Sequence, residues 1–293
     1  MSNQKRNLAN PFYLKNGRAM GSLGPLSKNT YCPYRCAFCY VQDAFISYAN
    51  LGVDEIIAFL KENRSNYKII YVSGDTDSFA PPRTKEGLTL LERIVNEINC
   101  DLLFTTRALF SADNYSQLKK IIEQQRGQGK AFFACVSVLR LSDDLAYLEP
   151  KPIPTPEERI DVLRQLKGIG ATTVLATRPF LPIVPPEQYL QIIDNAKKHV
   201  DIVLGECFYF IRDGKIQNRV FPNGVLPEYE ENITKNQKMP FDDNVADWDI
   251  WDSTEYQNIV RKKCEDCGIV FSMHSEDAIR QFREKATKQL VGV

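Results

Sequence analysis

Whatever fold this chain adopts must bring three thiols to one place, because cysteines stand at 32, 36 and 39 in Tyr31-Cys32-Pro33-Tyr34-Arg35-Cys36-Ala37-Phe38-Cys39-Tyr40. Cysteine sulfur is the usual ligand of [4Fe-4S] iron, and the CxxxCxxC spacing suits such a cluster. A saturated cubane needs four protein ligands and this loop offers three. One iron is then open to bind something else, which is a catalytic arrangement rather than an electron-transfer one. Eight cysteines scattered at random would give this spacing on the order of 1 time in 250. Zinc is the other candidate, but its sites usually show paired CxxC or Cys/His knuckles, and neither His199 nor His274 lies nearby in sequence.

With the aromatic Phe38 before its last cysteine, the loop resembles the cluster loop of the radical S-adenosylmethionine (SAM) superfamily. The resemblance implies that SAM chelates the open iron through its amino and carboxylate groups. Reduction of the cluster would cleave SAM to methionine and a 5'-deoxyadenosyl radical, which takes hydrogen from a substrate. The radical chemistry belongs to the cofactors, while the protein positions and shields it.

At 293 residues the chain suits one large α/β domain or two small ones. No apolar run approaches a membrane span, and the polar start Met-Ser-Asn-Gln-Lys-Arg is no signal peptide, so a cytoplasmic enzyme is expected. Lys+Arg and Asp+Glu balance at 37 each, so no overall field gathers polyanions, although a local basic groove stays open. The eight cysteines fit a reducing compartment better than a disulfide framework.

Residues 1–22 show no sustained period and read as a surface segment. Leu23 to Asn29 reads as the first strand, leading to the cluster loop. Val53, Ile56, Ile57 and Leu60 share one helical face, and the strand Lys68 to Ser73 follows. A helix carrying Leu91, Ile94, Val95 and Ile98 leads to a strand at Asp101 to Thr106. Ser111 is an N-cap for the next helix, and Phe132 to Leu139 is a strand. Thr155-Pro156-Glu157-Glu158 sets out a capping box with a first-position proline. Thr172 to Thr177 and Val200 to Leu204 are strands, flanking a helix with Tyr189, Ile192, Ile193 and Ala196.

Strands alternating with helices argue for a parallel sheet with crossover helices. Six such units match the partial (β/α)6 TIM-like barrel that the resemblance implies, over residues 23–205. Residues 206–293 read as a C-terminal extension packed on it. There, Phe208 to Val220 reads as a hairpin turning at Asp213-Gly214. Residues 222–252 read as a long loop holding Trp248 and Trp251, either a cover for the open side of the barrel or a packed surface connection. Asp252-Ser253-Thr254-Glu255 resembles a second capping box, opening a helix that stops at Gly268. A strand at Ile269 to Met273 and a helix from Ser275 follow.

Further motifs resemble the spore photoproduct lyase and DNA-repair-photolyase-like branch of the superfamily. They are Ser73-Gly74-Asp75-Thr76-Asp77, Leu148-Glu149-Pro150 and Arg178-Pro179-Phe180-Leu181-Pro182. The resemblance implies SAM contacts from these segments: Gly74 and the Asp75 or Asp77 carboxylate toward the amino group, Ser137 toward the ribose, Arg178 toward the carboxylate, and backbone near Phe38 toward adenine. Strand C-terminal ends are where parallel barrels hold ligands, and Arg178 has forked donors suited to a carboxylate. Each also has a plain alternative as a turn cap, a strand hydrogen bond or a solvated charge.

Tyrosines flank the third cysteine in the spore photoproduct lyases, and a separate cysteine donates hydrogen. Here Tyr40 matches one tyrosine, Phe38 replaces the other, and no cysteine lies between Cys39 and Cys100. The catalytic candidates are therefore Tyr40 and Cys207, the latter placed beyond the sixth strand to face the barrel opening or to fill it. Cys264-Glu265-Asp266-Cys267, with His274, reads as half of a metal site or as a plain helix end.

The cofactors expected are one [4Fe-4S] cluster and SAM, with a flavodoxin or ferredoxin-type electron donor. Two substrate classes stand open: a nucleobase or DNA lesion, from the branch resemblance, and a small metabolite or peptide, from the zero net charge and the missing donor cysteine. A non-catalytic iron-sulfur sensor would need the open iron capped by a fourth ligand.

Overall fold

The computed structural model describes residues 6–8, 12–15, 17–24, 32–43, 46–48, 52–221, 230–239 and 246–291. In chain order these form β1 (Arg6–Leu8), β2 (Phe12–Lys15), β3 (Arg18–Gly21), β4 (Ile46–Tyr48), α1 (Val53–Glu62), β5 (Ile69–Val72), α2 (Thr84–Glu97), β6 (Asp101–Thr106), α3 (Ala112–Gly127), β7 (Phe132–Ser137), α4 (Pro156–Gly168) and β8 (Thr172–Ala176). Beyond these lie α5 (Pro186–Ala196), β9 (Ile202–Leu204), β10 (Phe208–Phe210), α6 (Lys215–Val220), β11 (Ile233–Lys238), β12 (Asp247–Trp251), α7 (Thr254–Asp266), β13 (Val270–Ser272) and α8 (Ser275–Val291).

The strands β6 and β7 are buried at every position, as befits parallel strands covered on both faces. They lie at the centre of an eight-stranded sheet ordered β13-β9-β8-β7-β6-β5-β3-β2, parallel from β13 to β3, with β2 antiparallel at the edge. Alternate residues sort the two faces. Ile70, Val72, Leu102, Phe104, Ala134 and Val136 pack with the helices. Tyr71, Leu103, Phe133, Cys135, Val174 and Ile202 pack inward, against Ala278, Ile279 and Phe282 of α8. The last helix thus fills the concave side of the sheet. Arg18 of β3 spans the gap between the sheet edges, donating to Ser275 at 2.9 Å and pairing with Glu276 at 2.6 Å.

Caps set the helix starts. Ser111 accepts from the Asn114 N–H at 3.3 Å. Thr155 and Glu158 close their box reciprocally, at 3.3 and 2.8 Å. At α7 the expected box does not form. The Asp252 carboxylate takes the Thr254 N–H at 2.9 Å and its hydroxyl at 2.6 Å, while Ser253 turns its hydroxyl to Cys207.

Three further expectations are corrected, and one falls mostly outside the described residues. Residues 12–21 are not a surface segment: they supply β2 and the first parallel strand of the eight-stranded sheet, β3, with Phe12 and Ala19 buried. The strand expected at Leu23 to Asn29 is not found over 22–24, and 25–29 lie outside the described residues. Phe208 to Val220 is no hairpin, because β10 is followed by helix α6, and β10 pairs with β12 instead. Residues 222–252 are not one loop: β11 and β12 lie within them and form an antiparallel sheet with β10, burying both Trp248 and Trp251. Among the described residues no helix is long and apolar enough to cross a membrane.

Candidate active site

The cysteine loop folds over the C-terminal ends of three strands and is tied to each. Past β5, the Tyr40 hydroxyl donates to Asp75. Past β6, the Arg107 guanidinium lies 5.7 Å from the Phe38 ring centroid. Past β7, the Ala37 N–H donates to the Leu148 carbonyl at 2.9 Å. Arg35 takes a left-handed φ of 47° and Cys39 N–H returns to the Cys36 carbonyl at 3.2 Å, which turns the loop back on itself.

Cys32, Cys36 and Cys39 line one chamber of about 740 Å³, within the ~300–1,000 Å³ range of small-ligand sites. Burial pushes each thiol up, that of Cys36 to about 11, and the neighbouring cysteines add to the rise at Cys36 and Cys39. The loop therefore keeps its protons until a metal displaces them. Among the described residues no three His, Cys, Asp or Glu side chains gather closely enough to hold a single metal ion. Three soft donors sharing one chamber fit a polynuclear iron-sulfur group better than a tetrahedral zinc.

The Ser73 to Asp77 turn forms the adjoining wall. Ser22 accepts the N–H groups of Asp75 and Thr76 at 3.3 and 3.0 Å. Asp77 takes the N–H of Phe79 at 2.9 Å, that of Arg107 at 2.7 Å, and the Thr106 hydroxyl at 3.0 Å to each oxygen. Burial pushes the Asp77 carboxyl up, against the pull of these donors. Gly74 leaves the wall open, since a Cβ there would meet nothing nearer than 3.8 Å.

Behind the cysteines stands a buried charge network. Arg159 grips Glu149 with two bonds of 2.9 and 2.5 Å and holds the Ser137 carbonyl at 2.6 Å. Arg107 adds a third bond to Glu149 at 3.3 Å. Despite burial, the neighbouring Glu149 carboxylate helps hold Arg107 firmly cationic.

Phe38, Tyr40, Gly74, Asp75, Asp77, Ser137 and Arg178 all line this chamber with the three cysteines. Cys207 does not. It sits against Ser253 at 3.5 Å and Gln257 at 3.8 Å, at the start of α7, and its neighbours Glu206 and Tyr209 line the chamber instead. Cys264 is buried on α7, which ends plainly at Gly268 with φ of 67°, while His274 lines the chamber mouth. Sequence reasoning missed Arg107, Glu206 and Tyr209. For Arg107 a signal existed: it is the first charged residue past an unbroken buried strand, the same place Arg178 holds after β8.

A family model described as the radical SAM superfamily matches residues 26–196. A curated relative, the uncharacterized protein ORF301 of Acidianus two-tailed virus, is 21% identical over 220 residues, 69% of this chain and 68% of that protein. A serine variant of spore photoproduct lyase superposes with a TM-score of 0.62 at 13% identity, covering 82% of this chain and 73% of that one. Spore photoproduct lyase complexed with dinucleoside spore photoproduct gives 0.61 at 14% identity, over 87% and 81% of the two chains. These superpositions are a likeness of fold.

Proposed function

Because the chain belongs to the radical SAM superfamily, whose enzymes use a [4Fe-4S] cluster and SAM, we propose that Cys32, Cys36 and Cys39 hold the cluster and that SAM lies beside it in the chamber. The observation that carries this reading is the convergence of three thiols, the half-buried Arg107 guanidinium and the Ser73 to Asp77 turn on one cavity. When bound, the pair supplies reductive cleavage to methionine and a 5'-deoxyadenosyl radical that takes a hydrogen atom from substrate.

Arg107, which is backed by Glu149 and lies against Phe38 of the cysteine loop, takes the SAM carboxylate in preference to Arg178, which stands past β8. Asp75, positioned by Tyr40, takes the amino group. Asp77 has four donor contacts of its own and holds the turn. Ser137, fixed by the Arg159 bond to its carbonyl, meets the ribose. Gly74 and the backbone at Phe38 leave room for adenine. The electron comes from a flavodoxin or ferredoxin-type donor.

For the substrate, a small metabolite or peptide is the better reading, because among the described residues the chamber is lined by no cysteine beyond the three of the loop. Among the described residues the chamber offers no further thiol for the hydrogen return that a lesion-reversing lyase would use. A nucleobase or DNA lesion is the second reading, favoured by the fold likeness to spore photoproduct lyase and by exposed Arg35 and Arg219 at the mouth, which suit phosphates.

The test is anaerobic: reconstitute the cluster, add SAM and dithionite, and measure 5'-deoxyadenosine with and without dinucleoside spore photoproduct. Slow formation, lost in Cys36→Ala and unmoved by the dinucleoside, is expected. Stimulation with thymine release would transfer the assignment to the second reading, and no 5'-deoxyadenosine from a loaded cluster would overturn both.

A further inference from the structure

The ends of β8 and β9 bring a second set of charges into the chamber. Arg178 follows β8 and Glu206 follows β9, and their segments are knit by the Phe180 N–H to the Glu206 carbonyl at 2.8 Å and the Thr177 N–H to the Leu204 carbonyl at 3.0 Å. Both side chains line the chamber and both are half-buried. Each is held by a tyrosine. Arg178 donates to the Tyr71 hydroxyl, with its guanidinium 5.9 Å from that ring, and Tyr71 is fixed in turn by Thr105 at 2.9 Å. Glu206 accepts from the Tyr209 hydroxyl.

The two charges line the same chamber, yet no ion pair joins them among the described residues. By contrast, Arg159 and Glu149 close into a full pair one strand away. A fixed cation and a fixed anion therefore face the same space with their charges unjoined.

A ligand that covers two such charges must compensate both, because a buried charge without a partner is costly. A neutral ligand would compensate neither. A polyanion would meet Arg178 but be repelled by Glu206. A carboxylate and an ammonium on one carbon satisfy both at once. SAM carries such a group too, but its proposed place is the cysteine side, beside Arg107 and Asp75. We propose that Arg178 and Glu206 form a clasp for the zwitterionic head of a free α-amino acid, which is the substrate. This rests on SAM occupying the cysteine side of the chamber.

The experiment uses the cluster-loaded protein with SAM present under anaerobic conditions. Binding of each of the standard L-α-amino acids, and of the 2-hydroxy acid matched to any that binds, is followed by saturation-transfer NMR. At least one amino acid should bind, its hydroxy analogue at least tenfold more weakly. Glu206→Gln, which keeps the shape of the side chain, and Arg178→Gln should each weaken that amino acid at least tenfold while SAM affinity stays within twofold. No amino acid binding, binding unmoved by both substitutions, or a SAM affinity that falls tenfold in Arg178→Gln would overturn the clasp. Amino acid binding that depends on both residues, in a parent protein that does not cleave SAM, would overturn the proposed radical SAM activity and leave the clasp standing.

Discussion

Arg107 and Glu149 meet at 3.3 Å, Nε to Oε1, and this contact connects the cysteine loop to the buried interior. On one side Arg107 covers the Phe38 ring, and on the other Glu149 is gripped by Arg159, whose side chain, like that of Glu149, is wholly buried. The loop is thus supported from behind by a charge network. Its three ties, past β5, β6 and β7, place the thiols in the chamber.

Removing the negative member of this network should be costly. Glu149→Gln leaves the wholly buried Arg159 guanidinium and the half-buried Arg107 guanidinium facing an amide, and breaking a buried pair in this way costs about 3–5 kcal/mol. Thermal unfolding of the metal-free protein should report a fall of roughly 5 °C or more in Tm. A Tm within about 1 °C of the parent would mean that the network carries little of the stability.

The same carboxylate gives stability a pH dependence of known sign. Burial alone would raise the Glu149 carboxyl, but the Arg159 and Arg107 charges outweigh it and hold the group below its ordinary value. A folded value below the unfolded one, about 4.3, makes this contribution complete above about pH 5 and lost as pH falls through the folded value. Denaturant titrations should therefore show a gap between the parent and Glu149→Gln that is constant near neutrality and narrows below about pH 4. A gap that widens with acid would reverse the assigned shift.

Arg107 itself should separate binding from folding. Arg107→Gln removes a charged donor worth about 1.5–3 kcal/mol, so equilibrium binding of SAM to the cluster-loaded protein should weaken roughly tenfold or more. Arg107→Lys keeps the charge without the fork and should recover part of the loss. Equal affinity in all three proteins would remove Arg107 from the SAM site.

What could be read from the sequence divides along the range of the interactions involved. The apolar runs of β6 and β7 and the box at Thr155 are set by residues within a few positions, and they stand as expected. The strand β3 was hidden because it is only four residues long and opens on the charged Arg18, which lines the chamber. The turn at Asp213 was legible and is real, with φ of 57°, but the helix after it depends on a partner far away in sequence. In the site, spacing exposed the cysteines, whereas Arg107 gains its meaning from Glu149, which lies 42 positions away. Cys207 failed for a simpler reason, since one residue decides which side of a short segment a side chain takes, and its neighbour Glu206 took the chamber.

The distant partner of α6 gives the last prediction. Asp43, just past the cysteine loop, accepts the N–H groups of Lys215 at 3.0 Å and Ile216 at 2.9 Å, capping α6 from outside. Gly214 makes room for it, because a Cβ there would stand 2.7 Å from the Asp43 carboxylate and 2.8 Å from the Ile211 carbonyl. Gly214→Ala should therefore push the cap away and cost about 1–2 kcal/mol in denaturant unfolding, and Asp43→Ala should cost about the same. Both remove one interaction, so the double variant should cost little more than either alone, a coupling of about 1 kcal/mol. Additive losses would mean that the alanine strains the Ile211 side and leaves the cap in place.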